Sequence, residues 1–471
     1  MPSPFRPRFR RQRSARFLQY VTLGRRPAAG GRRAPARRMR ESAARRRRGP
    51  EHPSSVEGMT ASAPVAAFAP TPRSRRAAAP DVARGLVLIG IALANVPFFL
   101  YGTELGLMYK PVTDDPTDQW TNALVATLFD NRSYPLFALL FGYGMTQLLM
   151  REHARGTEWR DARSLLLRRN AWLIAFGAVH GSLLFFGDVL GSYGLLGLAL
   201  VLLIRASDKV LAIVGWITFG LLALMTAAEG LSGLLGEIGV PMSTAAPFGS
   251  SEAETFGWAV LLRAAEWVVA QVSLPLGGFA LLLPPMILGI WLARWRVLEN
   301  PTPHLRRLGL AAGLGITISV LGALPMALAL LGVIELSIWT EPLAAMLHGT
   351  TGVIGAVGYV SLIAILAGRR ETPGPIARIF AALGQRSLSG YLTQSVVFVI
   401  VFAPYTLGLG GEVGIAEASQ IAVITWLGTL IVANVLAAAD KSGPAEWLLR
   451  KLVYRTRKTL ATPSSEANTA N

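Results

Sequence analysis

The 471-residue chain contains no cysteine. That absence excludes disulfides, zinc–thiolate centres, iron–sulfur clusters and cysteine nucleophiles. Charge is scarce too: Asp, Glu, Lys and Arg make up 16% of the residues against 52% hydrophobic, and the mean hydropathy is +0.43. A chain so poor in charge cannot cover a body of this size with a water-facing polar surface. Histidine occurs five times, at the scattered positions 52, 153, 180, 304 and 348, which argues against a transition-metal site. No Walker A loop, dinucleotide-binding glycine fingerprint, HExxH pair or GxSxG elbow is present. Neither a metal nor a resident cofactor is expected.

The charge that is present is unevenly placed. Of the formal +18, a net +17 lies in the first 80 residues, which hold 20 arginines, no lysine and three acids (Glu41, Glu51, Glu57). The remaining 391 residues carry 26 basic and 25 acidic groups. The basicity therefore belongs to a tail, and no specific nucleic-acid binding is expected of the body. Residues 1–80, rich in Arg, Pro, Ala and Ser without an apolar period, read as disordered, as do residues 456–471. A polybasic tail beside a membrane adheres to anionic lipid at roughly 1 kcal/mol per basic residue. Met59 opens a less basic stretch leading into the first apolar segment, so residues 1–58 also read as a mis-assigned start. No apolar signal region precedes residue 85.

From Gly85 onward, apolar segments of about 17–25 residues recur, long enough to cross a hydrocarbon core as helices. Ten are expected, near 85–103, 132–150, 170–187, 188–204, 210–228, 276–293, 308–331, 346–367, 388–407 and 418–438. Residues 119–131 and 253–273 read as interfacial amphipathic helices. The fold class is thus all-α, a polytopic membrane helix bundle over residues 81–455. Alternate loops carry 16 basic residues, among them Arg151, Arg168, Arg169, Arg205, Arg294 and Arg307, and the opposite loops only Lys110, Arg132 and Arg263. That asymmetry follows the positive-inside rule and places both termini in the cytoplasm, with an even number of spans. Glycine triplets at 191/194/197 and 352/355/358 read as helix-packing stripes.

Ionisable groups at membrane depth are costly and are functional candidates by default. His180 lies about ten residues into the third span, with two readings open: a proton-transfer group, or a neutral histidine satisfied by a helix–helix hydrogen bond. Asp188 follows at the outer end of the same hairpin. Eight residues apart on one helix the two point about 80° apart, so contact requires a break at Gly187. Asn95 and Arg84, eleven residues apart, share a face of the first span, and Asp81 is placed to pair with Arg84. Asp130, Asn131, Arg132 and Tyr134 cluster at the outer mouth of the second span, while Gln385, Arg386, Tyr391 and Gln394 enter the ninth. Arg132 and Arg386 are expected to anchor helix ends by snorkelling. Pro97, Pro284, Pro285 and Pro325 are candidate helix breaks.

Several runs resemble the YeiB-like bacterial membrane proteins (domain of unknown function 418). They are Asp81-Val-Ala-Arg84-Gly85, YPLFALLFGYG at 134–144, LLLRRNAWLIAFGAVHGSLLFFGDVLGSYGLLGLAL at 165–200, LGQRSLSGYLTQS at 383–395 and GPAEWLLRKLVY at 443–454. Gly390 stands where an asparagine is expected. The layout is similar, more loosely, to membrane acyltransferases that modify sugars or envelope polymers, an analogy of fold alone. That resemblance implies His180 as general base, Asp188 as its orienting carboxylate and Asn95 as a holder of the acyl carbonyl. Arg84, Arg168 and Arg169 would bind the phosphates of a donor such as acyl-coenzyme A, with Tyr193 and Arg132 as further binding residues. The acceptor would be an envelope glycan or lipid. The alternative is a small-solute or proton-coupled transporter.

Overall fold

The structure is a computed structural model in which residues 78–231, 249–273, 278–368 and 373–458 are described. The expectations for residues 1–77 and 459–471, and for the loop bearing Arg369 and Arg370, lie outside the described residues.

Among the described residues every regular element is helical, apart from one isolated bridge between Leu105 and Pro111. In chain order they are α1 (Ala78–Asn95), α2 (Pro116–Leu128), α3 (Ser133–Ala154), α4 (Trp159–Leu183), α5 (Val189–Leu203), α6 (Asp208–Glu229) and α7 (Phe256–Ser273). There follow α8 (Gly278–Arg294), α9 (Leu305–Leu330), α10 (Glu341–Gly368), α11 (Pro375–Gly384), α12 (Ser387–Phe402), α13 (Ile415–Ala438) and α14 (Pro444–Lys458). All ten expected spans fall on helices, and the two interfacial segments correspond to α2 and α7. Five stretches are both long and apolar enough to cross a bilayer: Ala78–Phe99, α6, Thr302–Leu330, α10 and α13. The helices α5, α8 and α12 are shorter, at 15, 17 and 16 residues, while α3 and α4 are long but more polar.

Helix ends follow local chemistry. The first span, expected over 85–103, ends as an α-helix at Asn95 and tightens into a 3-10 turn over Val96–Phe99. Pro97 is the cause, since a residue preceding proline is disfavoured in the α region. The other three prolines break nothing: Pro284 and Pro285 lie inside α8 and Pro325 inside α9. Such prolines are tolerated where neighbouring helices hold the chain in place, and α8 is held by direct backbone contact with α3. A Cβ on Gly142 would strike the Met286 carbonyl, and one on Gly289 the Leu139 carbonyl. The expected glycine stripes act in the same way. Gly352, Gly355 and Gly358 abut Asn131, Ser319 and the Gly315–Ile316 backbone, and Gly194 and Gly197 abut Asn170.

Loops assigned to one side by charge meet at one end of the bundle. Arg294, the last residue of α8, donates to Asp208 at 2.6 Å and to the Ala206 carbonyl at 2.8 Å. Gln147 at the end of α3 reaches Glu299, and Glu446 of α14 accepts the Leu388 amide at 2.8 Å. At the other end, Asp118 accepts the Ala416 amide at 2.8 Å, and Tyr101 donates to the Gly408 carbonyl at 2.8 Å. Outward faces are apolar: Ile213, Trp216, Ile217 and Leu224 of α6 and Ile424, Ile431, Val432 and Val435 of α13 are exposed. A soluble protein does not display helices whose outer surfaces are this oily; a bilayer supplies their solvent. The molecule is a membrane protein.

Candidate functional site

The site is built where α4 stops. The His180 carbonyl accepts the amides of both Leu184, at 2.9 Å, and Phe185, at 3.1 Å, which closes the helix. The chain then turns, and Asp188 caps α5 by accepting the Gly191 amide on Oδ2 at 2.7 Å. That reversal carries Asp188 Oδ1 to 2.8 Å from His180 Nδ1. The contact that needed a break at Gly187 therefore forms, with the break opening at Leu184. Small residues permit it: a Cβ on Gly177 would strike both the Asp188 carboxylate and the Gly191 backbone.

The second ring nitrogen is also engaged. His180 Nε2 lies 2.8 Å from Ser395 Oγ of α12. His180, Asp188 and Ser395 are 2%, 3% and 3% exposed. With the Asp188 carboxylate as acceptor, the tautomer that fits both contacts carries its proton on Nδ1 and accepts the serine hydroxyl on Nε2. The helix bearing Ser395 is tied to α1 by Gln394, which donates to the Leu88 carbonyl at 3.3 Å. One turn before Ser395, the Tyr391 ring sits 4.9 Å from the imidazole, and its hydroxyl accepts the Val189 amide at 3.5 Å. Ser395 was not among the residues singled out from the sequence. Its place, four residues after Tyr391 and hence on one helix face with it, did not set it apart from Ser389 and Thr393 of the same helix.

Asn95 and Tyr193 converge on Tyr134 instead of on His180. Asn95 Oδ1 accepts the Tyr134 hydroxyl, and the Tyr193 hydroxyl donates to the Tyr134 carbonyl at 3.1 Å. The Tyr193 ring is stacked on Phe137 and Phe141, with centroids 5.5 and 5.4 Å away. Where α4 turns into α5, aromatic rings cap the site: Phe99 stacks on Phe185 at 5.0 Å and meets Phe398 edge-on at 5.3 Å. A small cavity there is lined by Phe98, Phe99, Phe185, Phe186 and Arg263 among others.

The expected donor-binding arginines lie towards the basic end. Arg84 pairs with Asp81 at 3.2 Å, as expected, and donates to the Leu140 carbonyl at 3.1 Å. Arg169 lies over the Phe141 ring at 5.1 Å and within electrostatic reach of Arg84. Arg169 Nη1 and Arg168 Nε are buried without a hydrogen-bond partner.

Arg132 belongs to a separate network, and it does not snorkel. Its side chain is 0% exposed and points inward, donating to Ser319 Oγ at 3.0 Å and to the carbonyls of Ser319 and Asp130 at 2.8 and 2.7 Å. The His348 Nε2 atom lies 2.8 Å away, and Asn131 contacts the other ring nitrogen at 3.1 Å. Asn131 has φ +54°, in the left-handed region that asparagine tolerates, which turns α2 into α3. Arg386 is likewise interior, at 2% exposure, and donates to the carbonyls of Ala382 and Lys441. In both cases main-chain carbonyls within the bundle satisfy the guanidinium, which removes the reason to reach for the interface.

A polytopic all-α membrane bundle, with a buried Ser–His–Asp constellation where two helices break, defines the class. A family model described as "Protein of unknown function (DUF418)" matches residues 292–456. Similarity extends over most of the chain to two bacterial proteins. The Bacillus subtilis (strain 168) protein "Uncharacterized protein YxaH" is 25% identical over 84% of this chain and 99% of its own length. The Escherichia coli (strain K12) protein "Uncharacterized protein YeiB" is 28% identical over 80% of this chain and 95% of its own. On these matches the chain is similar to the DUF418 family over residues 292–456 and to the YeiB and YxaH proteins over most of its length.

Proposed function

We propose that this chain is a bacterial inner-membrane acyltransferase. It passes an acyl group from a cytoplasmic donor, an acyl-coenzyme A or similar thioester, to a hydroxyl or amine of an envelope glycan or lipid. Ten helices span the bilayer, with both termini in the cytoplasm. The observation that carries the reading is the histidine whose two nitrogens are bound on opposite sides, one to a carboxylate and one to a hydroxyl. Asp188 fixes the tautomer and stabilises the imidazolium that forms when His180 takes a proton. His180 Nε2 is then the general base for the attacking acceptor. Arg84 and Arg169, close together with unused donor capacity on Arg169, suit a phosphate-bearing donor. The polar Asn95–Tyr134–Tyr193 side suits the acyl carbonyl and the acceptor.

General-base catalysis is worth about 10²–10⁴-fold. Inverted membrane vesicles containing the wild-type chain or His180→Gln, supplied with acyl-labelled coenzyme A thioesters of several chain lengths, should differ by that factor in label reaching envelope lipid or glycan. Equal transfer by the two proteins, at matched abundance, would sink the mechanism. Solute uptake without any acylated product would instead favour transport.

A further inference from the structure

Hydroxyl side chains on the helices of this bundle usually bond back to their own helix. The hydroxyls of Thr146, Thr226, Thr351 and Thr425 each donate to the carbonyl four residues earlier, at 3.0, 2.9, 2.7 and 2.7 Å. Such back-bonding is the ordinary fate of a hydroxyl in an apolar helix. Ser395 departs from it. Its hydroxyl is turned across the helix interface onto His180 Nε2 at 2.8 Å, and the far side of that ring is held by Asp188 at 2.8 Å. A hydroxyl, a base and an orienting carboxylate in that order make an activated nucleophile.

Resting on the acyl-transfer reading, we propose that Ser395 carries the acyl group as an oxygen ester between donor and acceptor. In the first half-reaction His180 Nε2 takes the Ser395 proton as Oγ attacks the thioester carbonyl. The carbon–sulfur bond then breaks, and the sulfur leaves as a thiol with the proton held on His180. In the second half-reaction His180 takes a proton from the acceptor hydroxyl or amine, which attacks the ester. The carbon–Oγ bond breaks, and Ser395 regains its proton from His180. No oxidant or reductant enters. A serine inside a helix has its own amide committed to the helix, so a side chain must stabilise the oxyanion. Tyr391 takes this role, one turn before Ser395, with its ring 4.9 Å from the imidazole and its hydroxyl at the Val189 amide. Two half-reactions also let the donor, from the arginine end, and the acceptor, from the aromatic end, use one enclosed site in turn.

The test requires no knowledge of the natural substrates. The full chain in lipid nanodiscs is treated with a small alkyl fluorophosphonate, which phosphonylates activated serines and releases fluoride. Peptide mass spectrometry should find the adduct on Ser395, formed at least 100-fold more slowly in His180→Gln and not at all in Ser395→Ala. Failure to modify Ser395 overturns the proposal. A second variant guards against misfolding: Ser395→Cys gives this cysteine-free chain one thiol. Iodoacetamide should alkylate that thiol at least tenfold faster with His180 present than in the double variant Ser395→Cys/His180→Gln. Equal alkylation rates also overturn the proposal. In the vesicle assay, wild-type transfer by Ser395→Ala with loss in His180→Gln would refute the covalent step while leaving the acyl-transfer reading intact. Retained transfer in His180→Gln would defeat that reading itself.

Discussion

His180 has a chemical reading because of what its two ring nitrogens meet, a carboxylate and a hydroxyl, where those of His348 meet Asn131 and Arg132. A histidine bound only through one nitrogen is a structural hydrogen bond; one clamped by Asp188 and aimed at a hydroxyl has a defined tautomer and a defined direction for its proton. Asp188→Asn keeps the shape but removes the charge that stabilises the imidazolium. The expected outcome is a fall of about 10²–10⁴-fold in the initial rate of acyl transfer, with protein abundance unchanged. A rate within twofold of wild type would remove Asp188 from the mechanism. Arg132 makes the opposite point. Its position in the chain, at a helix end on the outer side, reads as an interfacial anchor, and no periodicity reveals that its side chain turns inward onto Ser319 and His348. Arg132→Leu removes the donor shared by the Ser319 hydroxyl and the carbonyls of Ser319 and Asp130. A buried polar group left unsatisfied costs about 1–3 kcal/mol, so unfolding in detergent should shift to lower temperature. An unchanged midpoint would show the network to be dispensable. Ser395 was hidden for a related reason: a serine is small and frequent in membrane helices, and only a partner 215 positions away in sequence distinguishes it.

Helix existence was legible in the sequence, and helix ends were less so. Apolar run length marked all ten segments, but the conversion of α1 to a 3-10 turn is set by Pro97, while Pro284, Pro285 and Pro325 are absorbed by their surroundings. The outcome at a proline depends on whether adjacent helices can hold the chain, which the local sequence does not specify. The glycines do carry that information. Since a Cβ on Gly142 would meet backbone and not a flexible side chain, Gly142→Leu must push α8 from α3. A cost of about 1–3 kcal/mol is expected for such overpacking, seen as a lowered unfolding temperature; a neutral effect would mean the helices already have slack. Gly177→Val acts on the site itself, forcing Asp188 off His180 and reducing transfer as strongly as Asp188→Asn. At the start of α2, the amides of Asp118 and Thr117 donate to the Asp115 carboxylate and hold its pKa below the ordinary 3.8. A carboxylate with a depressed folded pKa stabilises fully above its unfolded value, and loses that stabilisation as pH falls through the folded one. Protection of the first-turn amides of α2, taken against the intrinsic exchange rate at the same pH, should therefore be high at neutral pH and fall below the ordinary carboxylate range. In Asp115→Ala it should be low at both. Protection in the variant equal to wild type at neutral pH would exclude the cap as the cause.

At the scale of the molecule, charge placement and shape agree. The basic loops were grouped by alternation along the chain alone, yet Arg294 meets Asp208 and Gln147 meets Glu299 at one end, while Asp118 meets the start of α13 at the other. Apolar surface lies between these ends on α6 and α13, where lipid replaces water as solvent. Under the proposed topology the arginine end faces the cytoplasm, where thioesters are made, and the aromatic cap faces the envelope. A chain without cysteine makes this directly measurable. Asp114 is the better outer position, because its neighbour Asp115 caps α2 and must be left alone; Arg307 is exposed in the first turn of α9. A membrane-impermeant maleimide added to intact spheroplasts should label Asp114→Cys and spare Arg307→Cys, and the pattern should reverse in inverted vesicles. Labelling of Arg307→Cys from outside would invert the bundle. It would turn the arginines towards the envelope, where no coenzyme A thioester is available, and acyl transfer from a cytoplasmic donor would have to be abandoned together with the topology.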